Sequence, residues 1–353
     1  MKNDKAYNFS NSLVGGDGVV YKKANVKRAI VTGGAGFIGS HLVDALLERD
    51  YEVIVIDNFS TGKIENLAHH KNNKQLHVIE ADVSKLTKER KYFNVVDYVF
   101  HLAGLADVIP SMENPEKYFR VNVTGTMNVV EAARRAEVKK FLYAASSSCY
   151  GVPEIIPTPE SAKISLQHPY AFSKYMGEEL VFNWSRIYKI PVISLRLFNV
   201  YGPRFRTTGA YGGVLGVFLV QKFNGKPLTV VGDGMQSRDF VYVSDVVNAF
   251  IMAAESNIQN EILNVGSGQS YTITYLAQLL QGDVVYVSSL LGQPFRTCAD
   301  ITKIKKLLGW EPKISLEEGV RLVLKDTACF RNAFVWTPDK INELTKSWCK
   351  YMK

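Results

Sequence analysis

Thr32-Gly33-Gly34-Ala35-Gly36-Phe37-Ile38-Gly39 is the stretch on which the fold turns. It follows the short apolar run Ala29-Ile30-Val31. It leads into an amphipathic run from Ile38 to Glu48, with Leu42, Ala45 and Leu46 at helical spacing. The glycines stand at 33, 36 and 39, a G-x-x-G-x-x-G spacing rather than the more familiar G-x-G-x-x-G. The physics is shared: a tight turn, close backbone approach to a pyrophosphate, and a helix N-terminus offering amide donors and a favourable dipole. Asp57 ends the next apolar strand, Val53–Ile56, where a carboxylate can hold ribose hydroxyls and would repel a 2′-phosphate. The stretch therefore predicts a dinucleotide site that takes NAD rather than NADP.

Outward from it, apolar strands alternate with amphipathic helices. Further strands are expected at 76–79, 98–102, 140–145 and 192–197. Such alternation predicts an α/β fold, a Rossmann-like doubly wound parallel sheet covered on both faces, over residues 28–198. After residue 198 the rhythm loosens. A Gly/Pro-rich loop from Tyr201 to Gly213 leads to a helix at 214–223, Ser315-Leu316-Glu317-Glu318 reads as a capping box for a helix to Lys325, and Thr337-Pro338-Asp339 opens a last helix. Residues 199–353 are expected to form a smaller α/β C-terminal substrate lobe, with no clean linker and with a possible return of the chain to the first domain. Residues 1–27 read as a polar N-terminal extension, in which only Val19-Val20-Tyr21 could form an edge strand.

Composition narrows the function classes. No uninterrupted apolar run reaches the roughly 18 residues of a membrane helix, and the start has no apolar segment of a signal peptide. Cys149, Cys298, Cys329 and Cys349 are scattered, which favours reduced thiols and a cytoplasmic location over a disulfide framework or a metal site. His69-His70 sits in a polar stretch and reads as solvated surface. The net charge of +8 comes from dispersed basic pairs without aromatic interleaving, a pattern that argues against nucleic acid and suits a phosphorylated small molecule.

Several residues are candidates for a cleft at the strand ends. Asp82-Val83 follows the third strand and could meet an adenine or simply cap a turn. Leu102-Ala103-Gly104 follows the fourth, with residues small enough for a cofactor to lie on the backbone. Asn122 is a polar residue in an otherwise apolar helix and could tie helix to strand. Ser146 ends the fifth strand in a hydroxyl-rich run, Ser146-Ser147-Ser148. Tyr170 and Lys174 are four apart and share one face of a helix. A tyrosine hydroxyl beside an ammonium, facing a serine, is a proton-transfer site built without histidine.

In this order the motifs resemble the extended short-chain dehydrogenase/reductases, specifically the NAD-dependent nucleotide-sugar epimerase/dehydratases. The residues are Gly33/Gly36/Gly39, Asp57-Asn58-Phe59-Ser60-Thr61-Gly62, Ser146, Tyr170-x-x-x-Lys174, Leu197-Phe198-Asn199-Val200-Tyr201-Gly202-Pro203-Arg204, and Gly232-Asp233-Gly234-x-Gln236-x-Arg238-Asp239. The resemblance runs from about residue 28 to 323. It implies that Gly33, Gly36, Phe37, Ile38, Gly39, Asp57, Asn58, Ser60, Thr61, Gly62, Asp82, Val83, Leu102, Ala103, Gly104, Tyr170 and Lys174 hold NAD. It makes Tyr170 the acid/base, with Lys174 and Ser146 its helpers. A free tyrosine has a pKa of about 10, and bringing it near 7 takes about 4 kcal/mol, which Lys174 and the positive nicotinamide are expected to supply.

The resemblance further implies hydride removal from carbon 4 of a nucleotide sugar, giving a 4-keto intermediate. Dehydratases of the family carry an Asp-Glu pair directly after the catalytic hydroxyl, and decarboxylases keep the Glu. Here Ser147 and Ser148 stand there and cannot act as carboxylate acids or bases. The expected activity is therefore 4-epimerisation of UDP-glucose or UDP-N-acetylglucosamine, with a 4,6-dehydratase or another 4-keto-forming epimerase as the alternative among enzymes and a silent NAD-binding regulator as the alternative outside them. Asn199 and Arg238 are expected on the diphosphate. Leu290 replaces an arginine common in UDP-sugar epimerases, a change that Arg296 could offset. Thr297 falls where a bulky tyrosine would close the site to an N-acetyl group. A homodimer through residues 115–135 and 170–188 is also implied.

Overall fold

The computed structural model describes residues 26–205, 213–288, 293–325, 330, 333–341 and 343. The strands are β1 (Arg28–Thr32), β2 (Glu52–Asp57), β3 (Leu76–Glu80), β4 (Tyr98–His101), β5 (Lys140–Ser146), β6 (Val192–Leu197), β7 (Asn199–Tyr201), β8 (Leu228–Val231), β9 (Ser237–Arg238), β10 (Phe240–Tyr242), β11 (Glu261–Val265), β12 (Tyr271–Thr272) and β13 (Val284–Val287). The α-helices are α1 (Phe37–Leu47), α2 (Val108–Glu113), α3 (Pro115–Phe119), α4 (Gly125–Arg135), α5 (Pro169–Tyr188), α6 (Val214–Phe223), α7 (Val243–Glu255), α8 (Ile273–Leu280), α9 (Thr302–Leu308) and α10 (Leu316–Lys325).

Seven strands form one sheet in the order β11-β6-β5-β4-β1-β2-β3, every pairing parallel. Parallel strands need crossovers and helices on both faces, so their residues are buried on both sides. The alternation of side chains divides them cleanly. Ala29, Val31, Val53, Val55, Leu142 and Ala144 face a core shared with α1, α7 and the C-terminal lobe. Ile30, Ile54, Ile56, Phe141, Tyr143 and Ala145 face a second core with α4 and α5. Chain order reverses between β1 and β4, and an open parallel sheet binds its ligand in the crevice at the carboxyl ends beside such a reversal.

The sequence reading places no strand at 261–265, yet β11 pairs with β6 as the outermost strand of the main sheet. The chain thus returns to that sheet after β10 has paired with β7, and goes on to complete two further two-stranded pairs, β12–β9 and β13–β8. The helix expected over 115–135 is divided: α3 and α4 are joined by a π-helical turn, Arg120–Thr124. The capping box holds, the Glu318 amide donating to Ser315 Oγ at 3.2 Å. Val19-Val20-Tyr21, Leu290, Cys329 and Cys349 lie outside the described residues. Among the described helices none is long and apolar enough to cross a membrane.

One buried polar network fastens α5 to the sheet. Ser194 and Arg196 of β6 point toward α5. Ser194 Oγ donates to Glu178 Oε2 at 2.7 Å, and Arg196 Nε donates to Glu178 Oε1 at 3.1 Å. Arg196 Nη1 also donates to the Tyr150 hydroxyl at 3.0 Å, which donates in turn to Asn264 Oδ1 of β11 at 2.8 Å. Removing one partner of a buried ion pair leaves an uncompensated charge. Glu178→Gln is expected to lower stability by about 3–5 kcal/mol in urea unfolding; a loss below about 1 kcal/mol would show that the network is dispensable.

Candidate functional site

A cleft of about 660 Å³ opens at the carboxyl ends of the strands. Gly33, Gly36, Phe37, Ile38, Gly39, Asp57, Asn58, Ser60, Thr61, Asp82, Val83, Leu102, Ala103, Gly104, Ser146, Ser147, Ser148, Tyr170, Lys174, Asn199, Arg238 and Thr297 all line it. Gly62 and Arg296 do not. Gly62 lies under Asp57, where an added Cβ would come within 2.9 Å of the carboxylate. Arg296 is exposed and bridges Ser237.

The glycine turn has the shape a pyrophosphate requires. Gly33 is at φ +71°, a conformation that favours glycine, and a Cβ there would stand 2.8 Å from the Ala103 nitrogen. A Cβ on Gly39 would strike the carbonyl of Gly33, so α1 packs directly on the turn. Gly36 is the N-cap of α1 and gives no side-chain cap, leaving the first amides for a ligand. Asp57 is held by the amides of Ala35 and Phe59, at 3.0 and 2.8 Å, and burial pushes its pKa up against them. It braces the turn as well as facing the cleft. Asp82 lines the cleft and caps a turn, its Oδ1 accepting from the Ser84 amide at 2.9 Å.

A buried relay fixes the next wall. Thr126 Oγ1 donates to the Asn122 carbonyl at 2.6 Å, so His101 Nε2, 2.9 Å away, is the donor to Thr126. His101 Nδ1 then accepts from Thr32 Oγ1 at 2.7 Å, and Thr32 accepts from the Ala103 amide at 3.2 Å. The hydrogen-bond pattern thus assigns a neutral Nε2–H tautomer. Burial agrees, pushing His101 down to about 3, with the Lys174 charge adding to it. Asn122 reaches further than helix to strand. It exchanges hydrogen bonds with Leu105, amide to Oδ1 at 2.8 Å and Nδ2 to carbonyl at 3.0 Å, and donates to Ser173 Oγ at 2.9 Å. Ser173 donates to the Tyr170 carbonyl at 2.9 Å.

Tyr170 is fixed from several sides. Its amide donates to Ser111 Oγ at 3.1 Å, its ring stacks on His168 with planes 4° apart, and a hydrogen bond joins its hydroxyl to Ser146. His168 caps α5, Nδ1 accepting from the Ala171 amide at 3.1 Å. Burial dominates the electrostatics of the pair. Burial raises the Tyr170 pKa, and the Ser146 hydrogen bond opposes it. Lys174 is itself buried, over the Tyr143 ring at 4.4 Å, and burial pushes it down to about 8. The reason is desolvation, which penalises the phenolate and the ammonium alike.

One further reading changes. His69 and His70 are not simply solvated: both Nε2 atoms lie 2.9 Å from Asp44 Oδ1, and Arg204 Nη2 reaches Asp44 Oδ2 at 2.7 Å. Asp239 is buried and accepts from Ser267, Gly268 and Ala299, while burial raises it to about 6. Arg238 donates to the Ser237 carbonyl at 2.9 Å. Asp107 and His168 line the cleft and were missed. Their signal was positional: each stands immediately before a helix, at a capping position.

The fold and this cleft agree with the comparisons. Residues 29–266 match the NAD-dependent epimerase/dehydratase family, and the chain belongs to it. It is an enzyme, its cofactor is NAD, and its reaction is of the epimerase/dehydratase type. A UDP-N-acetylglucosamine 4-epimerase from Methanobrevibacter ruminantium, solved with UDP-N-acetylmuramic acid, is 35% identical with a TM-score of 0.81, covering 85% of this chain and 97% of that one. A UDP-glucose 4-epimerase from Thermotoga maritima, solved with UDP-glucose, is 37% identical with a TM-score of 0.79, covering 84% and 97%. UDP-glucuronic acid decarboxylase 4 of Arabidopsis thaliana is 37% identical over 315 residues, 86% of this chain and 69% of that protein.

The burial of Lys174 has a measurable outcome. In the protein without ligands its ammonium should titrate near pH 8, followed by NMR of the lysine ε-carbons with Lys174→Met to assign the signal. A midpoint at the ordinary value of about 10.4 would mean that water reaches the ammonium.

Proposed function

We propose that the protein is a nucleotide-sugar 4-epimerase that converts UDP-glucose or UDP-N-acetylglucosamine to the galacto form through a 4-keto intermediate. The observation that carries this reading is the turn after β5. Ser146 caps it and accepts from the Ser148 amide at 3.2 Å, and the two positions directly after Ser146 are the hydroxyl residues Ser147 and Ser148. Elimination of water across carbons 5 and 6 needs an acid/base pair there; return of the hydride to the other face of a rotated ketone does not.

In this reading the glycine turn holds the pyrophosphate of NAD, Asp57 faces its ribose and Lys174 lies deeper along the same wall. When bound, NAD supplies the hydride acceptor and donor, and a positive ring that favours the Tyr170 phenolate. Tyr170 takes the proton of the 4-hydroxyl and later returns one, and Ser146 holds the sugar oxygen at that hydroxyl. Asn199 and Arg238 hold the diphosphate, Arg238 with its planar fork. Thr297 keeps the sugar end open: its hydroxyl is buried without a partner, which suits a polar group of the substrate beside it.

Incubation with UDP-glucose, UDP-N-acetylglucosamine and NAD is expected to give the galacto epimers without net NADH, with products resolved by NMR. A 4-keto-6-deoxy product would replace the epimerase with a dehydratase. The exposed side chains of Met127, Phe172 and Met176 on α4 and α5 support a homodimer through these helices. Sedimentation at micromolar concentration should give the dimer mass; a monomer would end that reading.

A further inference from the structure

We propose that Asp44, His69 and His70 bind a divalent transition ion of the zinc and nickel type, and that the ion fastens α1 to the segment following Asp57. None of the three lines the cleft. Asp44 lies in α1, and the histidines end the 3-10 helix Ile64–His70, 25 and 26 residues further along the chain. The fold brings them together. His69 Nε2 and His70 Nε2 each stand 2.9 Å from Asp44 Oδ1, and the three ligand atoms lie within 4.8 Å of one another.

This geometry fits a shared ion. Ligands about 2.1 Å from a metal are about 3.0 Å apart at a right angle and about 3.4 Å apart at a tetrahedral angle. The observed 2.9 Å is therefore the edge of an octahedral shell, with the remaining positions open to water. Two imidazole nitrogens among three ligands select a transition ion over calcium or magnesium, which take oxygen ligands. An outer partner is in place: Arg204 Nη2 lies 2.7 Å from Asp44 Oδ2, which orients the carboxylate and leaves Oδ1 to the imidazoles. The His69 side chain is 47% exposed, so an ion can enter from solvent. As plain surface hydrogen bonds, two imidazoles ordered on one oxygen gain little against the entropy of holding them; a shared ion supplies the gain.

The site would act on the cleft from outside. Asn58, Ser60 and Thr61 line the cleft and lie between β2 and the 3-10 helix. The start of that helix is already held to the glycine turn, where the Lys63 amide and Asn66 Nδ2 donate to the Ala35 carbonyl at 3.0 and 2.9 Å. The ion would hold its other end to α1.

The test is calorimetric titration of the full chain, free of any affinity tag and stripped with EDTA, with zinc chloride and, as a control, magnesium chloride. Binding of zinc and not of magnesium is expected. Asp44→Asn, His69→Gln and His70→Gln should each weaken zinc binding by about tenfold or more, since even outer partners of a metal are worth that much. NAD binding by the same preparations reports that they are folded. X-ray absorption of the zinc-loaded wild type is expected to show two imidazoles and oxygen ligands at about 2.0–2.2 Å, and it decides on the wild type alone should a variant lose NAD binding. Sulfur at about 2.3 Å would assign the ion to cysteine. That result, an absence of zinc binding, or unchanged affinity in all three variants would overturn the site.

Discussion

Tyr170, Lys174 and Glu178 follow one another at intervals of four along a single face of α5. The third of them is the anchor. Glu178 is buried against Arg196, and that pair carries the positions of the other two. A helix is stiff over two turns, so fixing its register at Glu178 fixes where an ammonium and a phenol emerge one and two turns earlier. The network then spreads through Tyr150 to Asn264, which binds the turn after β5 and the last strand of the sheet to the same point. The geometry of the cleft and the assembly of the sheet thus share one set of buried hydrogen bonds.

Much of this was legible in the sequence because local patterns encode it. Gly33, Gly36 and Gly39 between a strand and a helix signal a turn whose requirements are steric, and the structure meets them at the Gly33 φ and at the close packing of Gly39. The fully apolar strands announced a sheet buried on both faces. What was not legible depends on partners distant in the chain. Glu261–Val265 is too short and too mixed to declare itself a strand, and its place is decided by the free edge of β6. The burial of Asp239 depends on Ser267 and Ala299, which only the fold brings onto it.

The burial of the pair was not legible for a related reason. Spacing along a helix reveals which groups are neighbours but not how much water remains around them. Without the nicotinamide, which the sequence reading counts beside Lys174, burial raises Tyr170 and lowers Lys174. The same wall contains His101, whose neutral tautomer is dictated by Thr32 and Thr126, residues separated in sequence by 94 positions (126 − 32). Its function in the fold is positional: it joins the glycine turn to the helix behind Leu105.

The π-helical turn at Arg120–Thr124 gives the chain a spacer that an ordinary helix lacks. A π turn closes its hydrogen bonds over one residue more than an α turn. Deleting one residue inside it would therefore leave a continuous helix, with little lost in backbone bonding. The wider turn fits the additional residue in without turning the segments before and after it, so the loss would fall on the turn itself, where Asn122 meets Leu105 and Ser173. A change nearly silent for the helix would be felt at the wall of the cleft, which makes this turn a place where related chains can gain or lose a residue at the expense of the site and not of the fold.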